Sequence, residues 1–349
     1  MRDVLEAIEA WQAAGRPVAL ATVVQTWGSS PRQAGAKMAL TPETSGSDQG
    51  LAGSVSGGCV EGAVYEAGVE ALKTGQARLL HFGVADETAW EVGLACGGSI
   101  DVFVQPLTGD HYRQARAALE AGGEFATATI VKGPPEQLGK ALLLDADGVR
   151  WTNMSTDVSA AAAELARAAL TEGRSRHGAV SEGVEVFVEV VLPPPTLIAV
   201  GGVHITIALA ALAKTLGYRT VVVDPRKAFG NEMRFPPGTV DRLVQAWPDE
   251  ALAEIGLTRG TAVAMLTHDP KLDDPALRLA LPSAAFYVGA LGSKTTQAKR
   301  RARLLEAGLS EAALGRLYGP IGLDLGASTP EEIALSIMAE IVKARAGRK

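Results

Sequence analysis

Cysteine is nearly absent from this sequence of 349 residues, which contains only Cys59 and Cys96. Two thiols are too few for the disulfide framework that holds small secreted domains together, and a chain of this length can bury a core without one. We therefore expect both cysteines to be reduced thiols in a cytoplasmic protein.

Long apolar runs and long basic runs are also missing. No segment approaches the roughly 20 uninterrupted apolar residues of a membrane-spanning helix. The formal net charge is −6, and no run of Lys or Arg is present to neutralise a nucleic-acid backbone. The first residues include Asp3, Glu6 and Glu9, where a secretory signal would carry basic residues. The sequence predicts no membrane span and no nucleic-acid partner, and it favours a cytoplasmic location.

Aromatic residues make up only 5% of the chain, so aliphatic side chains must fill the core. A content of 47% hydrophobic and 21% charged residues is typical of globular proteins, and the length favours two domains. Three consecutive prolines, Pro193–Pro195, favour a stiff spacer. We predict one domain over residues 1–192, a linker over 193–196 and a second domain over 197–349.

The second half alternates short apolar runs with helical periodicity. Its predicted strands lie at 197–200, 220–223, 262–266 and 285–288, and its first helix at 208–216. Such alternation is typical of βαβ units, and it predicts a Rossmann-like, doubly wound parallel sheet of the α/β class. A last helix is predicted over 331–344, because Thr329, Pro330 and Glu332 form a capping box at its start.

The first half is less regular, and its pattern indicates a mixed α+β domain. Leu5, Ile8 and Trp11 predict an opening amphipathic helix. The other predicted elements are strands at 18–24, 78–82, 100–104, 125–131, 141–144 and 184–190, and helices at 60–73 and 159–170. We detect no internal repeat.

A glycine-rich turn, Gly201-Gly202-Val203-His204, follows the first strand of the second half and supplies a bend and a helix start. In dinucleotide-binding folds this position presents free amides to a pyrophosphate, and an acid such as Asp224 binds the ribose about 20 residues later. Val203 replaces a required glycine and should crowd a diphosphate. The turn is either a nucleotide site or only a tight connection. Likewise, Arg226 either grips phosphate or pairs with Asp224.

Two further groups of residues follow predicted strands of this half. They comprise Gly289, Gly292, Ser293 and Lys294 in one group, and His268 and Asp269 in the other. Backbone amides, a hydroxyl and a lysine at a strand-to-helix turn can hold an anion, and open parallel sheets bind ligands where their strands end. For His268, a hydrogen-bonded structural role is the alternative.

Both cysteines lie beside paired glycines. Gly57-Gly58-Cys59 precedes the helix predicted over 60–73, where helix N–H groups favour a thiolate, which is a nucleophile and a ligand for soft metals. Gly97 and Gly98 follow Cys96 and permit close approach of a ligand or another backbone. The alternative for each thiol is a buried small hydrophobe. The separation of the two cysteines argues against a zinc site.

A turn of similar composition, Gly28-Ser29-Ser30-Pro31-Arg32, follows the first predicted strand. Its hydroxyls, amides and guanidinium group suit an anionic ligand. The alternative is a hairpin-like turn with a solvated arginine.

Eight blocks of the sequence, taken in order, carry a family resemblance. They are Ala21-Thr22-Val23-Val24, Gly28-Ser29-Ser30-Pro31-Arg32, Gly57-Gly58-Cys59-Val60-Glu61, Cys96-Gly97-Gly98, Asp224-Pro225-Arg226, Thr267-His268-Asp269, Gly289-Ala290-Leu291-Gly292-Ser293, and Pro320–Ala327 with Thr329-Pro330-Glu331-Glu332. Together they resemble the xanthine dehydrogenase accessory family of the XdhC/CoxI type over nearly the whole chain. The family's first βα turn usually reads Gly-x-Gly-His, and Val203 departs from it.

The resemblance implies a maturation factor rather than a turnover enzyme. Such a chaperone binds the molybdenum cofactor (molybdopterin), protects it while its terminal sulfur is installed, and delivers it to xanthine dehydrogenase or a related molybdenum hydroxylase. A cysteine desulfurase is a further expected partner, and base rates favour a homodimer. The resemblance carries Cys59 and Cys96 over as motif cysteines, and we hypothesise that they contact molybdenum or accept sulfur.

Two competing interpretations remain. One is an NAD(P)-dependent oxidoreductase built on Gly201, Gly202 and Asp224, and the other is a scaffold without a ligand. The first predicts tight nicotinamide nucleotide binding, whereas the chaperone interpretation predicts a complex with a hydroxylase.

Overall fold

The computed structural model of the protein describes residues 2–30, 32–42, 50–83, 97–107 and 110–347. The chain forms two compact units, Met1–Pro193 and Pro194–Lys349. None of the helices in these described ranges combines the length and the apolar character that crossing a membrane requires.

The N-terminal unit is built from antiparallel strands and four longer helices among its described residues. In chain order its elements are α1 (Arg2–Ala13), β1 (Ala19–Trp27), β2 (Lys37–Leu40), β3 (Leu51–Gly53), α2 (Glu61–Thr74), β4 (Arg78–Phe82), β5 (Ser99–Pro106), α3 (Asp110–Glu120), β6 (Phe125–Lys132), a 3-10 turn (Pro135–Gln137), β7 (Ala141–Asp145), β8 (Gly148–Thr152), α4 (Thr156–Glu172), β9 (Arg176–Ser181) and β10 (Val184–Val191).

These elements form two copies of one α-βββ-α-ββ arrangement. The first copy runs from α1 to β5 and makes a sheet of order β3-β2-β1-β5-β4, and the second runs from α3 to β10 and makes a sheet of order β8-β7-β6-β10-β9. Neighbouring strands are antiparallel in both sheets. Each strand of the first sheet has a counterpart at the same place in the second sheet, since β1 to β5 correspond in order to β6 to β10. The unit is therefore an internal duplication.

The strand registers of the two copies also correspond. The pairing of β1 with β5 skips Val24, and the pairing of β6 with β10 skips Val131. The equivalent segments are then Ala21–Val24 with Ala128–Val131, and Asp101–Val104 with Glu185–Val188. The prediction of no internal repeat is therefore wrong. Equivalent residues lie 107 positions apart in β1 and β6 but 84 apart in β5 and β10, so no fixed period runs through the sequence.

The two sheets pack face to face. Alternate side chains of each strand point to opposite sides, so each sheet has an inner and an outer face. Ala21 belongs to the apolar cluster beneath α2. Val24 and Phe103 point the other way and cluster with Val131 and Phe187 of the second copy. Helices α2 and α4 cover the outer faces of the two sheets.

A polar cluster also lies between the sheets. The Nζ atom of Lys37 lies 2.9 Å from Glu189 Oε2 and donates a hydrogen bond to Thr22 Oγ1 at 3.2 Å. His111 lines the same small cavity of about 40 Å³, and its ring stacks on Trp151 with centroids 5.7 Å apart. His111 Nε2 is buried without a partner among the described residues.

The C-terminal unit alternates strands and helices. Its elements are β11 (Thr196–Val200), α5 (His204–Thr215), β12 (Arg219–Val223), β13 (Arg242–Val244), α6 (Pro248–Ile255), β14 (Thr261–Met265), α7 (Pro270–Ala280), β15 (Tyr287–Ala290), α8 (Lys294–Glu306), α9 (Glu311–Leu314), β16 (Leu317–Tyr318) and α10 (Pro330–Arg345).

The sheet of this unit has the order β13-β12-β11-β14-β15-β16, and all its pairs are parallel. This is the strand order of Rossmann folds. In β11, Leu197 and Ala199 face α5 and α10, whereas Ile198 and Val200 face α6 and α7. Helices therefore cover both faces, which confirms the predicted doubly wound domain.

The ends of two helices show how well local signals locate boundaries. The predicted capping box is present, because Thr329 Oγ1 accepts from Glu332 N while the Glu332 carboxylate accepts from Thr329 N. Helix α5 begins at His204, where the glycine-rich turn predicts a helix start, although the helical periodicity becomes clear only from 208. Its N-cap is Val203, which has no side-chain oxygen to cap the helix.

Candidate functional site

A seven-residue loop, residues 54–60, connects β3 to α2 and carries Cys59. The carboxylate of Glu61, the first residue of α2, organises this loop. It accepts hydrogen bonds from five loop amides and two serine hydroxyls, at Ser54 Oγ, Val55 N, Ser56 N, Ser56 Oγ, Gly57 N, Gly58 N and Val60 N. Gly57 and Gly58 adopt φ values of 84° and 119°, which suit glycine and allow consecutive amides to converge on one acceptor.

These hydrogen bonds keep Glu61 ionised. Burial raises the pKa of the Glu61 carboxyl, but hydrogen bonds from Ser56, Ser54 and the loop amides outweigh it and lower the pKa to about 2. The loop is therefore closed around an internal anion at neutral pH. Glu61 was not among the predicted site residues, although it ends one of the blocks that carry the family resemblance.

Cys59 is exposed on this loop as a free thiol. Its backbone N–H donates to Ser56 Oγ at 3.0 Å, so the loop conformation fixes its position. The alternative of a buried small hydrophobe is therefore wrong for Cys59. Cys96 lies outside the described residues, whereas Gly97, which follows it, is exposed.

The turn after β1 lies directly against the glycines that follow Cys96. A Cβ atom at Gly98 would lie 2.3 Å from the carbonyl oxygen of Ser29, and one at Gly28 would lie 3.4 Å from Gly98 Cα. Gly98 is thus required by close packing of two backbones. Two predicted groups of residues that are distant in sequence meet at this point.

The same turn also reaches the Cys59 loop. Arg32 Nε donates to Ser54 O at 3.2 Å, and Ser30 Oγ donates to Arg32 O at 2.7 Å. The structure thus brings the three glycine-containing groups of the first half together at one end of the first sheet. Part of the predicted anion-binding capacity of Ser30 and Arg32 is used in these local hydrogen bonds.

A histidine that sequence reasoning missed lies at this end of the sheet. His81 Nδ1 lies 2.6 Å from Asp101 Oδ1 across the β4–β5 pair, and the His81 ring packs edge-on against Trp27 with centroids 5.9 Å apart. The His81 side chain is 64% exposed, whereas that of Asp101 is 16% exposed. The two residues are 20 positions apart, so no local pattern marks them.

In the C-terminal unit, Asp224 is buried, and both of its carboxylate oxygens accept hydrogen bonds from other groups of the protein. Its Oδ1 accepts from Arg226 N and Nε, both at 2.9 Å, and its Oδ2 accepts from Gly202 N at 2.8 Å and an Arg226 terminal nitrogen at 2.7 Å. Burial raises the pKa of Asp224, but the Arg226 side chain and the two amides hold it below its ordinary value. The structure therefore supports the ion pair, and the carboxylate has no free oxygen directed to a ribose.

The glycine-rich turn is also covered by the chain that follows Asp224. A Cβ at Gly202 would lie 2.1 Å from Phe229 O, and one at Gly201 would lie 2.8 Å from Thr267 Cγ2. Both glycines thus accommodate neighbouring parts of the protein. The ring of Phe229 lies 4.2 Å from the Arg226 guanidinium carbon, which holds this covering segment in place.

At the end of β14, the predicted residues divide into a cap and an exposed histidine. Asp269 is the N-cap of α7 and accepts from Lys271 N at 2.9 Å. His268 is exposed and adopts φ 64°, a left-handed conformation that is unusual for a residue with a side chain. Behind them, sequence reasoning missed the buried pair of Asp273 and Arg300, joined at 2.8 Å.

At the β15–α8 turn, most of the predicted residues have structural roles. Gly289 is buried, and a Cβ there would lie 2.6 Å from Ile321 Cγ1. Gly292, at φ 133°, packs against Thr296, and Ser293 Oγ caps α8 by accepting from Thr296 N. Lys294 is exposed at the start of α8. The exposed predicted residues at the carboxyl ends of these strands are thus His204, His268, Ser293 and Lys294, and of these Ser293 already caps α8.

Across the described ranges, no three His, Cys, Asp or Glu side chains are grouped so as to hold a metal ion. The site geometry instead offers an exposed thiol and a carboxylate-oriented histidine at one end of the first sheet. A separate set of exposed cationic or titratable groups lies at the strand ends of the parallel sheet.

Comparisons with known proteins agree with this architecture. Residues 197–341 match the XdhC Rossmann domain, and residues 11–83 match the XdhC and CoxI family. A probable xanthine dehydrogenase subunit of Bacillus subtilis (strain 168) is 30% identical over 334 residues, which are 93% of this chain and 92% of that protein.

Two further similarities have comparable extent. The molybdenum cofactor insertion chaperone PaoD of Escherichia coli (strain K12) is 26% identical over 332 residues, which are 95% of this chain and 84% of that protein. The crystal structure of a xanthine dehydrogenase from Bacillus halodurans superposes with a TM-score of 0.74 at 25% identity, over 99% of this chain and 96% of that one. The chain therefore belongs to the XdhC and CoxI family.

Proposed function

We propose that this protein is a maturation factor that binds the molybdenum cofactor, protects it while its terminal sulfur is installed, and delivers it to a xanthine dehydrogenase-type molybdenum hydroxylase. The names of two relatives support this function. PaoD is a chaperone for insertion of that cofactor, and the Bacillus subtilis relative is a probable subunit of xanthine dehydrogenase.

The exposed thiol of Cys59 is the observation that carries the proposal. The loop amides at 55–58 and at 60 already donate to Glu61, so they are not available to bind a phosphate. The group that the loop exposes for binding is the Cys59 thiol. A thiolate is a suitable ligand for a soft metal. The metal end of the cofactor, its cargo, is therefore assigned to Cys59, with Cys96 as the second candidate thiol.

Within the C-terminal unit, the carboxyl ends of the parallel strands are a separate candidate site for an anion such as a phosphate. His204 and Lys294 lie at the first positions of α5 and α8, where helix N–H groups and the helix dipole favour an anion. His268 is exposed beside them at the end of β14. Asp224 carries no role in this assignment, because Arg226 and Gly202 occupy its carboxylate.

Partners and location follow from the same function. A cysteine desulfurase would supply the terminal sulfur, and a molybdenum hydroxylase would receive the cofactor. We propose that the protein acts in the cytoplasm as a homodimer, the commonest oligomer among soluble proteins. It would act stoichiometrically on its cargo, without net turnover.

Native mass spectrometry of protein purified from cells that make molybdopterin tests the proposal. We expect a mass excess of one cofactor per chain, and no excess in protein from cells that cannot make molybdopterin. The same excess should disappear when purified apo-hydroxylase is added and the complex is separated. Protein that never carries the cofactor, under conditions that retain weak ligands, would refute the proposed function.

The Rossmann strand order favours a second candidate, an NAD(P)-dependent oxidoreductase. The saturated Asp224 carboxylate and the Phe229 carbonyl against Gly202 count against it. Calorimetric titration with NAD⁺ and NADP⁺ separates the two candidates. We expect no saturable binding of either nucleotide, whereas tight binding followed by substrate turnover would favour the oxidoreductase.

A further inference from the structure

A pocket of about 480 Å³ lies in the N-terminal unit where residues of the two copies meet. The first copy contributes the end of β5, including Gln105 and Pro106, and the second contributes the start of α3, the segment 138–140 and the end of β8. Small-molecule sites in proteins have volumes of about 300–1,000 Å³. This inter-copy pocket is therefore large enough for an organic ligand.

The inter-copy pocket and the Cys59 loop lie at opposite ends of the first sheet. Pro106 pairs with Ala19 at the start of β1, whereas Trp27 at the end of β1 leads into the turn that donates to the Cys59 loop. Gly75, which also lines the pocket, follows the C-terminal end of α2, and the Cys59 loop precedes the N-terminal end of the same helix. A nine-residue strand such as β1 spans roughly 30 Å, so the two places are separate.

Within the second copy, the pocket lies at the place that corresponds to the Cys59 loop of the first. The connection after the third strand is residues 54–60 in the first copy and 153–155 in the second. In both copies the first residue of this connection donates a backbone hydrogen bond to the second strand. In the second copy that residue, Asn153, lines the pocket. The second sheet forms with the short connection, so the fold does not need the additional residues of the first.

Three residues that line the pocket differ in chemistry from their counterparts in the first copy. The strand registers and matching backbone hydrogen bonds establish the correspondence, since Ile130 N donates to Lys140 O as Val23 N donates to Ala36 O. The pairs, with the second copy first, are Lys140 and Ala36, Trp151 and Ala52, and His111 and Val4. Because small or aliphatic residues serve the same fold in the first copy, folding does not require the ammonium, indole and imidazole groups of the second.

Two of these residues form an aromatic wall of the pocket. The rings of His111 and Trp151 stack with centroids 5.7 Å apart and an angle of 7° between their planes. Burial lowers the pKa of His111 to about 4, so its ring is neutral at pH 7. A flat, uncharged wall of this kind suits the face of a planar aromatic ligand.

The third residue, Lys140, supplies an unpaired positive charge. Its side chain is half-buried and makes no ion pair or hydrogen bond with the residues that the structure describes. Asp110, the one acid among the described lining residues, pairs with Arg113. Asn153 Oδ1 accepts from Ala141 N at 2.8 Å, which leaves the Asn153 side-chain N–H groups as donors. An anion in the pocket would therefore find a cation and a hydrogen-bond donor that the protein does not use itself.

We infer that the inter-copy pocket is a second binding site, which takes a planar aromatic anion. The ring of the ligand packs against Trp151, and its negative group pairs with Lys140. The inference goes beyond the proposed function, because the pocket lies at the other end of the first sheet from Cys59 and takes a ligand of its own.

Calorimetric titration of the full-length protein with 2-naphthoate, which has two fused aromatic rings and a carboxylate, tests the inference. We expect one saturable site per chain. Decahydronaphthalene-2-carboxylate has the same charge without an aromatic face and should bind about fivefold more weakly, the usual effect of one aromatic pair. 2-Naphthamide has the same rings without the charge and should bind about tenfold more weakly.

Substitutions by the first-copy residues locate the site. Lys140→Ala should weaken 2-naphthoate binding about tenfold and leave 2-naphthamide binding unchanged, because only the charged ligand pairs with the ammonium group. Trp151→Ala should weaken the binding of both ligands about fivefold. Arg167→Ala, which removes an exposed cation from α4 of the same copy, should bind both ligands like the wild type.

The outcomes are distinct. A wild type without saturable 2-naphthoate binding would overturn the inference, and so would an equal loss of both ligands in Lys140→Ala, which would indicate a structural role for Lys140. Lys140→Ala should bind isolated molybdenum cofactor like the wild type, and weaker binding would contradict a separate ligand. A wild type that binds 2-naphthoate but never the cofactor would instead refute the proposed function and support this inference.

Discussion

Phe103 and Phe187 occupy equivalent positions in the two copies of the N-terminal unit, and both pack in one apolar cluster between the two sheets. Val24 and Val131, which form equivalent bulges, complete the cluster. Each copy thus buries its inner face against the other. The duplication therefore supplies the core as well as the topology of this unit.

Truncating either phenylalanine should cost a similar amount of stability. Phe103 is 2% exposed and Phe187 is 4% exposed, and removing a buried ring typically costs about 3–5 kcal/mol. We expect Phe103→Ala and Phe187→Ala to lower the free energy of unfolding by similar amounts in urea titrations. A loss from one variant only would contradict a core shared equally by the two copies.

His111 should make the stability of the N-terminal unit depend on pH. Burial is the main cause that lowers the pKa of His111 to about 4, with nearby Lys37 lowering it further and Glu189 opposing. The unfolded chain, with an ordinary histidine pKa near 6.5, binds a proton more readily than the folded chain. The contribution of neutral His111 to the free energy of unfolding is therefore fully present above pH 6.5. The free energy of unfolding should fall by at most about 3 kcal/mol as the pH decreases to 4.

Urea titrations between pH 7 and pH 4 measure this dependence, and the first copy suggests the control. The equivalent position in α1 is Val4, which is fully buried. His111→Val should flatten the pH dependence between these limits. An unchanged slope in the variant would assign the effect to other groups, such as the Lys37–Glu189 pair.

Removing the Glu61 carboxylate should loosen the Cys59 loop. Glu61→Gln replaces one accepting oxygen with an amide group that cannot accept, which leaves loop N–H groups unpaired and should cost about 1–3 kcal/mol. Because the pKa of Glu61 is lowered from 4.5 to about 2, its stabilisation is present above pH 4.5 and is lost as the pH falls towards 2.

Hydrogen exchange of the amides at 55–60 is the direct measurement for Glu61. We expect faster exchange in Glu61→Gln at neutral pH. Glu66→Gln, which changes an exposed glutamate on the same helix, should exchange like the wild type. Equal protection of the loop in both variants would show that Glu61 does not hold it.

Replacing the Cys59 loop by its shorter counterpart tests whether the loop belongs to function rather than to folding. In both copies the residue after the third strand donates to the second strand in the same way, Ser54 N to Lys37 O and Asn153 N to Ala141 O. A chimera with Asn-Met-Ser in place of residues 54–60 should therefore fold cooperatively and lose cofactor binding. A chimera that does not fold would contradict the scaffold role of the duplication, and one that binds normally would contradict the role of the loop.

The parallel sheet could be predicted because its signal is local. Each central strand is a continuous apolar run, and the helices between them have their own periodicity. The capping box at Thr329 is equally local, since all of its atoms lie within four residues. The glycine-rich turn likewise marks the start of α5 at His204, although Val203 gives no capping signal there.

The site was predicted less completely because its contacts join distant parts of the chain. Cys59 and its glycines were identified by composition, but the convergence of the loop amides on Glu61 depends on a conformation that no spacing rule shows. His81 meets Asp101 only through strand pairing. The sequence is compatible with two roles for Arg226, and only the geometry of its side chain shows that the Asp224 carboxylate is already bound.

We propose that the thiol loop of the first copy holds the metal end of the molybdenum cofactor. Equilibrium binding of isolated cofactor to the wild type, Cys59→Ala, Cys96→Ala and the double variant measures this role. We predict tight binding by the wild type, weaker binding by Cys59→Ala and the weakest binding by the double variant. Wild-type affinity in the double variant, together with normal sulfuration of the bound cofactor, would contradict the claim.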